Sequence, residues 1–317
     1  MPTFIGIDVA KDSLEVYALV ESGLCPRQSF SNDKKGRTAL VAWCKRLKPQ
    51  MCCMESTGPY SAPVAFALYE AGLSPALANP RFVKSFAKAV GQRNKTDRCD
   101  AVLIADYAKT LGARLWVPPP AQVQKLCALS RRLDSLVRQR NAEGNRLEDE
   151  RLEPLCKDSI LRHLQFLKQE MELVQEAMED HVKAFGELKE QVRLLCSIPG
   201  IGFRTACAIL AETSTGVPFQ SSKELCAFAG LCPRKRESGK YTGKTLLSKQ
   251  GNARLRKALF MPAIVAIKAN PILKDFYYKL VQNGKAKMAA LGACMKKRLA
   301  ICFGVLKNKT EFSAKNS

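Results

Sequence analysis

Phe4-Ile5-Gly6-Ile7-Asp8-Val9, followed after a polar turn at Lys11–Ser13 by Leu14-Glu15-Val16-Tyr17-Ala18-Leu19-Val20, decides the fold class. Hydrophobic and polar residues alternate through both runs, the period of a strand with one buried face. Two strands joined by a turn are predicted, and a more polar stretch near Gln28–Asn32 extends them into a meander. Outward from there, residues 36–47 read as an amphipathic helix. Met51–Glu55 is a short buried strand ending in Ser56-Thr57-Gly58-Pro59, and residues 60–72 are helical. Ser74–Leu77 is a further strand and Pro80–Val90 a further helix. Strands that alternate with helices after a meander predict an α/β domain around one sheet.

Pro118-Pro119-Pro120 ends this pattern, and long helices follow. Leu126, Leu129, Leu133 and Leu136 keep 3-4-3 spacing. A longer run, Leu164, Leu167, Met171, Val174, Met178, His181, Phe185, Leu188, Val192 and Leu195, alternates steps of three and four, which is a heptad seam. A helical hairpin or an oligomeric coiled coil would bury it, with His181 as a packing residue within the seam. From about residue 193 the chain is helical and basic, with breaks near 197–202, 214–222 and 230–251. The expected division is 1–117 for the α/β domain, 118–191 for a helical coiled-coil segment, and 192–317 for a basic, mainly helical domain.

A chain of 317 residues with 46% hydrophobic content can bury substantial cores. No run of about 18 apolar residues suggests a membrane span, and the first residues lack the basic and apolar pattern of a signal peptide. A cytoplasmic location is expected. The 13 cysteines include no C-x-x-C pair and read as reduced, mostly buried thiols. The net charge of +22 is unevenly spread: +5 over 1–112, −1 over 113–191 and +18 over 192–317. A +18 segment repels itself unless an anionic partner compensates, and a nucleic-acid backbone is the usual partner.

Four acidic residues stand out. Asp8 and Glu55 end apolar strands, and Asp97 and Asp100 lie three apart, on one face of a helix. Converging carboxylates suit a hard cation such as Mg²⁺, or Mn²⁺, and two such ions stabilise both oxygens of a phosphoryl transfer. Read singly, Asp8 serves equally well as a turn cap, and Asp97 and Asp100 as first-turn acids favoured by the helix dipole. Glu55, after Cys52-Cys53-Met54, is costly to bury without a partner. The chain has only His163 and His181, both in the heptad segment, which disfavours Ser-His or Cys-His catalysis.

Ile198-Pro199-Gly200-Ile201-Gly202, followed by Arg204, resembles a helix–hairpin–helix, in which glycines let backbone amides approach a phosphate. A plain turn with a glycine cap is the alternative. Beyond it lie Arg234, Lys235, Arg236 and Lys244, and then Ser248-Lys249-Gln250-Gly251-Asn252-Ala253-Arg254-Leu255-Arg256. Ser248 amid Lys249, Arg254 and Arg256 is either a nucleophile toward phosphate, with cations easing alkoxide formation, or a surface serine in a phosphate-gripping loop.

Taken together, Gly6-Ile7-Asp8-Val9-Ala10-Lys11, Met54-Glu55-Ser56-Thr57-Gly58, Arg93-Asn94-Lys95-Thr96-Asp97-Arg98-Cys99-Asp100-Ala101, the Ile198–Gly202 hairpin, Phe228-Ala229-Gly230-Leu231 and Ser248-Lys249-x-Gly251-Asn252 resemble the DEDD transposases of insertion-sequence family one-hundred-and-ten. The resemblance spans nearly the whole chain, in the family's order. It implies a RuvC-like N-terminal domain of the RNase H fold, with Asp8, Glu55, Asp97 and Asp100 as a metal-binding tetrad. It implies that Ser248 attacks DNA and forms a phosphoserine intermediate. It further implies a non-coding bridge RNA as guide to donor and target DNA, and a tetramer, a dimer of dimers, in which the serine domain of one subunit meets the metal domain of another.

Three other classes compete. Sugar kinases also open with Gly-Ile-Asp on a strand, but no Gly-rich phosphate loop follows a strand here, and the basic last third has no role in one. A RuvC-like junction nuclease would use the carboxylates without Ser248. A non-catalytic nucleic-acid-binding protein would leave the acidic set unexplained.

Overall fold

The computed structural model describes residues 3–20, 25–92, 96–214, 216, 219–234, 237–238, 241–242 and 246–313. The chain forms two compact units, Met1–Pro118 and Pro119–Ser317. The first contains β1 (Phe4–Val9), β2 (Ser13–Leu19), β3 (Arg27–Ser31), α1 (Lys34–Leu47), β4 (Met51–Glu55), α2 (Ser61–Glu70), β5 (Pro75–Ala78), α3 (Pro80–Ala89) and α4 (Asp97–Leu111). The eight elements through α3 match the sequence expectation with end shifts of up to two residues, and α4 follows as the helix that carries Asp97 and Asp100.

The sheet order is β3-β2-β1-β4-β5. The β1–β2–β3 meander is antiparallel, and β4 and β5 extend it in parallel. Alternation explains the split: Ile5, Ile7, Val9, Leu14 and Val16 enter one core with Leu40, Trp43 and Val64. The other face packs on α4 through Cys53, Ala76, Leu103 and Ile104. A meander running into parallel strands, with helices packed on the sheet, is the α/β unit that the sequence pattern predicts, in the RNase H-like arrangement that the family resemblance implies.

In the second unit, α5 (Ala121–Arg146) and α6 (Pro154–Ala184) form an antiparallel hairpin, fixed by a His181 Nε2–Gln122 carbonyl contact of 2.7 Å at one end and a His163–Glu143 pair of 3.2 Å at the other. His181 is buried and serves packing. The heptad run is not one helix. It breaks at Phe185, whose φ of −119° and ψ of 106° are extended, and resumes as α7 (Gly186–Cys196). Leu167, Met171 and Met178 before the break, and Leu188, Val192 and Leu195 after it, join a single apolar core with residues from across the unit. That core runs through both 118–191 and 192–317, so packing does not separate them.

The remaining elements are α8 (Phe203–Thr213), α9 (Ser222–Phe228), the two-residue strands β6 (Pro233–Arg234), β7 (Glu237–Ser238), β8 (Tyr241–Thr242) and β9 (Leu246–Leu247), then α10 (Ala253–Ala269), α11 (Pro271–Gln282) and α12 (Lys287–Asn308). β6 pairs with β9 and β7 with β8, both antiparallel. Among the described residues no helix is long and apolar enough to cross a membrane. All 13 cysteines are free thiols.

Candidate active site residues and nucleic-acid interface

The four candidate carboxylates of the first unit lie toward one end of the sheet. β1 and β4 are in parallel register from Phe4↔Met51 to Ile7↔Met54, so Asp8 and Glu55 follow the last pair on neighbouring strands, which lie about 4.8 Å apart. Both are half-buried. α4 crosses beneath them because Gly6 has no side chain: a Cβ there would lie 2.1 Å from the Ala101 carbonyl oxygen and 2.5 Å from the Ala105 amide. Asp8 is two residues beyond Gly6 and therefore on the same face. Tyr107 and Ala108, late in α4, pack with Phe4 and Met51 at the opposite end of these strands. The first turn of α4, with Asp97 and Asp100, is thus directed to the Asp8–Glu55 end. Thr96 caps that turn, its hydroxyl accepting from the Cys99 amide at 3.3 Å.

An all-oxygen donor set fits a hard divalent cation, and the Thr57 hydroxyl, two residues past Glu55, is buried without a hydrogen-bond partner. The four do not form a closed cage: no three His, Cys, Asp or Glu side chains among the described residues stand close enough to enclose an ion. Asp8, Glu55 and Asp100 each have an interaction partner. Burial, reinforced by the neighbouring Glu55 charge, pushes the Cys53 thiol up to about 12, so it is a neutral packing group.

In the second unit the serine lies on a constrained turn. After β9, the Ser248 amide donates to the Cys232 carbonyl at 2.9 Å, the Lys249 amide to Gly230 at 3.2 Å and the Asn252 amide to Phe228 at 2.7 Å. Residues 248–252 are therefore strapped to the turn that ends α9. Lys249 has φ 51°, a left-handed conformation disfavoured for a side chain, and is exposed. Gly251 has φ 146°, and a Cβ there would stand 2.2 Å from the Phe228 carbonyl oxygen; only glycine lets the two backbones meet. The half-buried Ser248 hydroxyl donates to the Gly230 carbonyl at 3.2 Å and accepts from the Gln250 amide at 3.4 Å.

The expected cations divide into groups. Lys249 and Arg254 are exposed beside the turn, and Arg234 is brought to it by β6–β9 pairing, which sets it opposite Leu246. Arg256 turns inward, donating from Nη1 to the Ala229 and Gly251 carbonyls at 2.9 and 3.1 Å, and burial lowers its pKa. It staples the turn. Lys235, Arg236 and Lys244, like Arg93, Asn94 and Lys95, lie outside the described residues.

Gly200 and Gly202 are exposed between α7 and α8, anchored by buried Ile198 and Ile201. Gly200 has φ 80°. Gly202 begins α8 with no side-chain cap, leaving first-turn amides open to an anion. Arg204 is exposed in that turn and donates from Nε to Gln175 at 2.7 Å. A cleft of about 220 Å³ beside it is lined by Arg131, Asp134, Arg204, Glu212, Arg254 and Lys257.

The sequence pattern does not single out Glu212, Arg131 or the Asn252 side chain, which the structure joins by hydrogen bonds. Glu212 was detectable as a lone acid ending the apolar run Ala208-Ile209-Leu210-Ala211. Its partners lie 40 and 81 positions away along the chain, a distance no local pattern reports.

Comparison with known proteins shows the family. The DEDD transposase family of IS110 elements matches residues 5–150, and the IS116/IS110/IS902 transposase family matches residues 192–278. A pilin gene-inverting protein of Moraxella bovis is 30% identical over 98% of this chain and 97% of its own length. The chain belongs to the IS110 family of DEDD transposases. The transposase is also 28% identical to the transposase of insertion sequence element IS1111A from Coxiella burnetii, over 80% of this chain and 75% of that one. A RuvC structure from Thermus thermophilus aligns with 36% of the transposase and 99% of its own chain, at 15% identity and a TM-score of 0.29. As a family member the protein is a DNA transposase, an enzyme that recombines DNA.

Proposed function

We propose that this transposase cuts and rejoins DNA through Ser248, with Asp8, Glu55, Asp97 and Asp100 holding divalent metal, Mg²⁺ or Mn²⁺. The observation that carries the reading is the serine turn, a left-handed Lys249 and a glycine-only contact at Gly251 that hold one hydroxyl in place beside exposed cations. Rigid placement of a nucleophile is worth several orders of magnitude in rate. Ser248 Oγ gives up its proton and bonds to phosphorus. One deoxyribose oxygen leaves and takes up a proton. The phosphoserine ester preserves the phosphodiester energy, so attack by another strand's hydroxyl reverses the step and joins new ends.

Lys249 and Arg254 offset charge on the phosphoryl oxygens. The Gly200–Gly202 hairpin and Arg204 grip the backbone without reading sequence. Asp8, Glu55, Asp97 and Asp100 would hold metal by carboxylate oxygen, and bound metal there would supply charge stabilisation at phosphate. Sequence choice is delegated to a non-coding RNA that pairs with donor and target DNA, as in other RNA-guided enzymes. The +18 charge over 192–317 suits a protein that holds RNA and DNA together. The active assembly is a tetramer in which a serine turn from one subunit meets the carboxylates of another.

The test is incubation of the protein with Mg²⁺, the DNA of its own element ends, target DNA and the flanking non-coding transcript, resolved on a denaturing gel. A protein–DNA adduct that vanishes in Ser248→Ala is expected. Cleavage without an adduct, unchanged in Ser248→Ala, would mean that the carboxylates act alone.

A further inference from the structure

After position 191 the chain has five acidic residues, and one of them, Glu212, is buried, with its side chain 5% exposed. A carboxylate taken out of water needs strong partners. Arg131 donates from Nε to Oε1 at 2.8 Å and from Nη2 to Oε2 at 3.2 Å, a two-pronged pairing. Asn252 donates from Nδ2 to Oε2 at 2.7 Å. Asn252 is committed on its other side as well: its Oδ1 caps α10 by accepting from the Leu255 amide at 3.0 Å. An ionised carboxylate only accepts, so Glu212 fixes which way the Asn252 amide faces. A flipped amide would set its oxygen against the carboxylate and leave the Leu255 amide without a cap.

We propose that Glu212 is a positioning residue for the serine turn, acting through Asn252 to fix the start of α10 and so the point from which the Ser248 hydroxyl meets a phosphate. The inference rests on the reading of Ser248 as nucleophile. Arg131 belongs to α5, so the clamp joins three elements, α5, α8 and the start of α10, at the turn. Glu212 touches no reacting atom, and its effect appears in rate with DNA binding unchanged.

Reversal of the hydrogen bond tests this. Aspartate caps helices as well as asparagine does, so Asn252→Asp keeps the α10 cap but sets a second carboxylate against Glu212. Adding Glu212→Gln restores the pairing in reverse: the glutamine oxygen accepts from Arg131 and its amide donates to the aspartate. In single-turnover assays with element-end DNA, Asn252→Asp should slow adduct formation about 100-fold, the effect of a small misplacement, with DNA affinity changed no more than about twofold. The Asn252→Asp/Glu212→Gln pair should recover to within about tenfold of the parent, because coupled sites are not additive. A double variant slower than Asn252→Asp alone would overturn the clamp. Hydrogen exchange over residues 248–255, measured without DNA, should rise in Asn252→Asp and return in the double variant. Unchanged exchange in Asn252→Asp would also overturn the proposal. Adduct persisting in Ser248→Ala would instead remove the serine reading, and the exchange result would still decide the clamp.

Discussion

Glu212 shows how one buried charge ties stability to pH. Burial opposes its ionisation, but the hydrogen bonds from Arg131 and Asn252, with the Arg131 and Arg254 charges behind them, hold its carboxyl below the ordinary 4.5. A group with a depressed folded pKa stabilises the fold fully above its unfolded value and loses that contribution as pH falls through the folded one. The transposase should therefore be more stable than Glu212→Gln at neutral pH, and the gap should close as pH falls below 4.5. Urea unfolding of both proteins between neutrality and pH 3 would measure it. A gap that stays constant across that window would mean that Glu212 is not the ionised partner of Arg131.

The elements divide between what local pattern dictates and what packing decides. Alternation in Phe4–Val9 and Ser13–Leu19 specifies the meander, and the apolar run before Glu55 specifies a buried strand, so Asp8 and Glu55 are legible as strand-end acids. The break at Phe185 is less so, because the apolar seam keeps its rhythm across it while Gly186 is the one local mark of the interruption. Before the break the seam packs on α5 and after it on α8 and α12, whereas periodicity alone leaves hairpin and oligomer open. The strained Lys249 and the strap from Phe228 to Asn252 depend on chain segments meeting far along the sequence, which residue types do not encode locally. The closeness of α4 to β1 is likewise a packing fact, and it turns on Gly6. Gly6→Ala would drive a Cβ into the α4 backbone, where no side chain can yield, and should cost about 1–3 kcal/mol as overpacking does. Gly144→Ala in α5, with open space around the new methyl, should stabilise by about 0.5–1 kcal/mol through helix propensity. Thermal unfolding of the two variants should move in opposite directions. A Gly6→Ala variant melting with the parent would mean that α4 does not rest on β1.

Across the whole molecule the charges are unevenly placed. The four candidate metal ligands belong to the first unit, whereas residues 192–317 carry +18 with only five acids. A basic segment binds backbone by releasing counterions, so affinity should fall linearly in log–log form with salt, at a slope of about −0.9 per duplex phosphate engaged. If the cations of the second unit carry binding, removing metal should leave that slope intact. Asp100→Ala or a chelator should therefore abolish cleavage while the salt titration of DNA binding stays superimposable on that of the parent. Arg254→Ala should do the reverse in part, reducing the slope by about one phosphate's worth. Two measurements on the same samples, a filter-binding titration against salt and a cleavage gel with and without chelator, separate these effects. Cleavage that survives chelation would remove metal from the mechanism. A flat salt response would mean that the +18 segment serves some purpose other than gripping a nucleic-acid backbone.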